Sequence, residues 1–203
     1  MSIPETAHPS RPEPFAAQGT LFALGIRRFT NVAESFSADR TVELANRHLD
    51  HVTRAIAKHG GEVHQFIGDA VVAYWLDGST SGACAAFACS LDLLADPMPA
   101  KMEKGVAYDL NISLATGEIV GAYFGPIQQF QLIGAAKNIS DRLSSGPGMG
   151  HGLRLCQYTA SKLASTDLIS PIASVERAGL EPLVVHGLKK AVRPEAAPWW
   201  RWR

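Results

Sequence analysis

An α+β fold, with an antiparallel-rich sheet and helices on one face, is what this sequence predicts. Three observations carry the expectation. A short apolar run (Gly19–Ile26) reads as a buried strand. A stretch with apolar residues every three or four positions follows it, between Ser37 and His59. Two β-prone runs then flank a Gly-Asp pair, the mark of a hairpin. Strand, helix, hairpin, helix, strands is the order of a ferredoxin-like βαββαβ core.

The elements follow in order. Residues 1–18 hold four prolines and little apolar content, and read as a flexible lead; residues 19–203 read as one domain. Ser37 is positioned to cap a helix whose Val42, Ala45, Leu49, Val52 and Ile56 share one face, and Gly60-Gly61 stops it. The hairpin pairs Glu62–Ile67 with Ala70–Trp75 across Gly68-Asp69. An alanine-rich helix fits Thr80 to Ala95. Strands are expected at about Val106–Ala115 and Ile119–Phe124, and a helix from Ala135 to Leu143, ended by Ser-Ser-Gly-Pro-Gly. Further on come a strand at Leu153–Tyr158, a short helix at Ala160–Ala164, and strands near Leu183–Gly187 and Trp199–Trp202.

Composition excludes several classes. The chain has 203 residues, with 19 Lys+Arg against 19 Asp+Glu. Zero net charge speaks against a general nucleic-acid binder, which needs a basic surplus to neutralise phosphates. No apolar run approaches the ~20 residues of a membrane helix, and no signal-peptide core is present, so the reading is cytoplasmic. Cys84, Cys89 and Cys156 form no CxxC pair and read as reduced thiols. His48, His51, His59 and His64 read as surface histidines, since zinc needs three or four convergent ligands. The terminal Pro198-Trp199-Trp200-Arg201-Trp202-Arg203 reads as a closing edge strand; a membrane-surface anchor and packing on a neighbouring domain are the alternatives.

Three stretches add a resemblance: GIRRFT (Gly25–Thr30), HGGEVHQFIGDAVVAYW (His59–Trp75), and ATGEIVGAYFG (Ala115–Gly125) followed by FQLIGAAKNISDRL (Phe130–Leu143). Together they resemble the catalytic domain of class III adenylate/guanylate cyclases. The patterns there run approximately DIRGFT, KHGG-x-V-x-KFIGDAVMA, TGE-x-V-x-G and Y-T-V-IGDAVN-x-x-x-R. The resemblance runs from about Gly19 to Lys190. It implies the ferredoxin-like fold of the class III cyclase type, a head-to-tail homodimer with its site at the interface, and a nucleoside triphosphate substrate. Mg²⁺ or Mn²⁺ is the implied cofactor if the domain is active, and none if it is not.

What the resemblance implies for single residues is mixed. Asp69 matches one metal-binding Asp; the position of the other is Gly25, which offers no ligand. The backbone of Ile26, Phe29 and Thr30 matches the phosphate-cradling turn. Gln65 stands where a Lys reads the base, and Gln131 where its Asp or Thr partner stands. Asn138 and Arg142 match the transition-state pair, and their i, i+4 spacing puts them on one helix face. His186 stands where a late Lys holds the terminal phosphates, with Lys189 and Lys190 just beyond.

Losing one charge-stabilising group typically costs ~10²–10³ in rate, and a metal-holding carboxylate matters at least as much. Weak or absent cyclisation is therefore expected. Three routes around the loss stay open. Arg28, beside Gly25, could bind phosphate without a metal. Glu34 or Glu118 could stand in as ligand. A heterodimer with an intact cyclase chain could use Asn138 and Arg142 to complete the partner's site. An active, atypical cyclase and a dimerisation module without nucleotide are the other readings.

Overall fold

The computed structural model describes residues 12–27, 29, 34–76, 80–95, 109–145, 152–163, 166–177 and 179–189. The first strand, β1 (Phe15–Arg27), starts inside the expected flexible lead, because Phe15 has apolar partners in Tyr74 and Phe130. Helix α1 (Ala38–Lys58) is capped as expected: the Ser37 side chain accepts from the Arg40 N–H. Its buried stripe is Leu44, His48, Val52 and Ile56, while Val42 is exposed. Hairpin strands β2 (Glu62–Ile67) and β3 (Ala70–Trp75) follow, then α2 (Thr80–Ala95).

Two expected strands are one: β4 runs unbroken from Asp109 to Phe124. Gly117, inside the turn-like TGE, is held in the ladder opposite Gly19, so no turn forms there. Beyond β4 come β5 (Gln129–Ile133), which the sequence reading omitted, α3 (Ala135–Ser145) and β6 (Gly152–Cys156). A single-turn α4 (Gln157–Ala160) starts earlier than expected, with the Cys156 sulfur accepting from the Thr159 N–H. β7 (Ile169–Arg177), also omitted, pairs with β8 (Leu180–Leu188). The expected strand at Trp199–Trp202 lies outside the described residues.

The sheet order is β2-β3-β1-β4-β6-β8-β7, with β5 paired to β4. All pairings are antiparallel except β4 with β6. Side chains alternate across it. Phe22, Leu24, Ile112, Leu114, Leu153 and Leu155 face α1 and α2 and form the main core. The opposite face carries Ala115 packed with Ile139 and Leu143 of α3. One helix thus departs from the expected one-sided arrangement: α3 covers the face that α1 and α2 leave open. Among the described residues, no helix is long and apolar enough to cross a membrane.

The α1–β2 corner is tight. The Trp75 indole N–H donates to the His59 carbonyl at 2.9 Å. A Cβ on Gly61 would fall 2.4 Å from that buried ring. Gly61→Ala is expected to cost about 1–3 kcal/mol, because neither ring nor strand can yield without breaking that bond. Urea unfolding measures it; an unchanged midpoint would show that the corner adapts.

Candidate functional site

The hairpin tip is built by Gly68, at a φ of +61°, which opens the two-residue turn and aims Asp69 at β1. Asp69 Oδ2 accepts the Ile26 N–H at 2.8 Å. Gly25 is its neighbour. A Cβ there would meet only Ala70 Cβ at 3.7 Å and Asp69 Oδ2 at 3.9 Å, ordinary contacts. The structure therefore brings Gly25 and Asp69 together, with room for the side chain that Gly25 lacks. The cradle turn is partly accounted for. The Ile26 amide is committed to Asp69, and Phe29 packs half-buried against the main core. Arg28 and Thr30, and the side chain of Arg27, lie outside the described residues.

The donor set does not fit two divalent cations. Hard cations take six or more oxygen ligands, and carboxylates supply most of the charge. Asp69 is one carboxylate with one oxygen already engaged. Among the described residues no three His, Cys, Asp or Glu converge on one point. Glu34 is exposed, and Glu118 lies opposite Gln18, far down β1 from Gly25.

Asn138 and Arg142 sit exposed on the outer side of α3. Beside them Lys137 Nζ reaches both Asp141 oxygens at 2.6 Å, an i, i+4 pair along the same helix. The inner side docks on β4 through hydroxyls. Ser113 contacts Ser140 at 3.2 Å and Ser144 at 2.9 Å. Arg154, buried in β6, donates to the Leu143 carbonyl and to Asn111 Oδ1.

Gln65 lines a cleft of about 240 Å³ with His64, Tyr74, Gln129 and Phe130. Gln131 is not among its walls; it alternates with Phe130 and Leu132, which turn into an apolar cluster. The expected Gln65–Gln131 pair is thus not brought together. His64 and Gln129 are wall residues that no motif in the sequence marks. The His64 ring stands edge-on to Phe130 at 6.0 Å, and burial, then the charge of Lys137, holds its pKa below the usual value. A bulge between Val63 and Gln65 puts His64 there, and no residue type in β2 announces a bulge.

His186 is placed elsewhere. It pairs with Leu155, and so stands on the α1 and α2 face, opposite the face of Gly25 and α3. It lines a separate groove of about 350 Å³ with Gln157, Ala160, Ser161, Ile169 and Pro171. Lys189 is exposed at the end of β8, and Lys190 lies outside the described residues.

His48 overturns the surface reading. It is 1% exposed, and neither ring nitrogen has a hydrogen-bond partner among the described residues. Burial first, then the charge of His51, lowers its pKa to about 4 from an ordinary 6.5, against a smaller opposing pull from the Asp69 main chain. The unfolded chain takes up this proton at the higher pH. Stability is therefore full above pH 6.5 and falls as the pH drops towards 4. At pH 5 the loss is about 2 kcal/mol. Urea titrations at pH 7 and pH 5 measure it, and His48→Leu should flatten the difference.

No protein-family model matches the chain. An uncharacterised protein of Mycobacterium tuberculosis is 28% identical over 158 residues, 73% of this chain and 26% of that protein. Adenylate cyclase type 10 of Homo sapiens is 28% identical over 128 residues, 58% of this chain and 8% of that protein. The chain thus spans a small part of either relative. Solved structures share its fold. The adenylyl cyclase CyaB from P. aeruginosa superposes with a TM-score of 0.73 at 23% identity, covering 88% of this chain and 96% of that one. The guanylate cyclase domain of RhGC from Catenaria anguillulae, in complex with GTP, gives a TM-score of 0.74 at 18% identity, covering 85% and 96%.

Proposed function

We propose, from the premise that this chain has the fold of the class III adenylyl and guanylyl cyclase catalytic domains, that it is a divergent domain of that type. It binds a nucleoside triphosphate or regulates a partner chain, and converts little or no triphosphate to the cyclic monophosphate and pyrophosphate. The observation that carries this reading is Gly25. It stands within contact distance of Asp69 and supplies no second carboxylate. Cyclisation needs the ribose 3′-oxygen activated and the leaving phosphates neutralised, and one engaged carboxylate does little of either.

Gln65, in the cleft beside Phe130, suits a base edge: its amide both donates and accepts. It favours a base other than adenine or a relaxed choice. Each nucleoside triphosphate incubated with the chain and Mn²⁺, followed by mass spectrometry, tests the reading. Little or no cyclic product is expected, and rapid turnover of any of them would overturn it in favour of an active, atypical cyclase.

The exposure of Asn138 and Arg142 supports one further role. On α3 both are free to reach across an interface and complete the site of a chain that keeps two aspartates. A homodimer would carry the Gly25 lesion in both sites; a heterodimer would not. Mixing this chain with an intact cyclase chain should change cyclic-nucleotide output. An unchanged output would remove this role.

A further inference from the structure

The Asp69 carboxylate occupies a position that a main-chain carbonyl normally fills. The β1–β3 register runs from Thr20↔Trp75 to Leu24↔Val71, and β3 begins at Ala70. β1 continues to Arg27, paired on its other side with β4. The Ile26 N–H therefore points to a flank where β3 has already turned into the hairpin. Asp69 Oδ2 takes that N–H at 2.8 Å, across 43 residues of sequence. Without it a partly buried amide would lose its acceptor, at a cost comparable to a lost hydrogen bond. Room at Gly25 leaves no second carboxylate beside it, and among the described residues no group of three or more His, Cys, Asp or Glu could hold a metal ion.

We infer that Asp69 is a latch that completes the β1 ladder at the hairpin tip, not a cation ligand. A carboxylate suits the latch because a charge-assisted bond to a backbone N–H is stronger than a neutral one. A single carboxylate, with no second one at Gly25, is a poor seat for a hard cation with six ligands to satisfy.

Asp69→Asn and Asp69→Ala separate the two roles. Asn keeps an acceptor oxygen and loses the charge; Ala loses both. The Ile26 amide, followed by hydrogen exchange in the full chain, should stay protected in Asp69→Asn and exchange about tenfold faster in Asp69→Ala. Unchanged exchange in Asp69→Ala would overturn the latch. Mn²⁺ titrated into the wild-type chain and followed by electron paramagnetic resonance should show no saturable site. A site that disappears in Asp69→Asn would overturn the inference.

Discussion

Gly25→Asp should give this chain a divalent-cation response that it otherwise lacks. The new Cβ meets only ordinary contacts, so the fold accepts the side chain. Its carboxylate then stands against that of Asp69. Two like charges about 4 Å apart repel by roughly 1 to 4 kcal/mol, depending on how much water reaches them. In chelator the variant should melt below wild type. Mn²⁺ should restore or exceed the wild-type midpoint, because the cation binds only the folded pair. Cyclic product from the best nucleoside triphosphate should rise by about 10²-fold. His186→Lys should add nothing to it, since position 186 faces the other side of the sheet. A melting midpoint indifferent to Mn²⁺ in Gly25→Asp would show that more than one carboxylate is missing.

The second large effect concerns the brace under α3. Arg154 is 3% exposed, and burial lowers its pKa. Its guanidinium is held by the Asn111 side chain and by the Leu143 carbonyl. That carbonyl belongs to the last turn of α3, where the helix leaves its acceptors unfilled and its dipole favours a cation. Asn111→Ala should therefore cost about 2–4 kcal/mol in urea unfolding, because it strips an acceptor from a buried charge. Asn111→Ala combined with Arg154→Met should cost less than the sum of the single changes, since the charge leaves with its partner. Strict additivity would show that the two side chains do not act as a unit.

The sequence made the local elements legible wherever one residue type sets the geometry. Ser37 capped its helix, Gly60 and Gly61 stopped it, and Gly68 turned the hairpin. Gly25 and Asp69 could be paired from sequence because a motif fixes both. What failed depended on the far side of the sheet. The sequence breaks β4 between Ala115 and Ile119 until Gly19 is seen opposite Gly117. His48 reads as a surface residue until the hairpin covers it. The faces of Gln131 and His186 follow from strand parity, which counts residues from pairings that sequence does not display. Edge strand β7 was invisible because both its faces are largely exposed, and no apolar alternation marks it.

The unbroken β4 has a mechanical meaning. Sixteen residues of strand reach roughly 50 Å, at a rise of about 3.3 Å each. One end holds Asn111 and, through Arg154, the last turn of α3; the other holds β5. No joint separates the two ends. The Gln129–Ile133 arm and the helix that carries Asn138 and Arg142 are therefore seated on one and the same continuous strand.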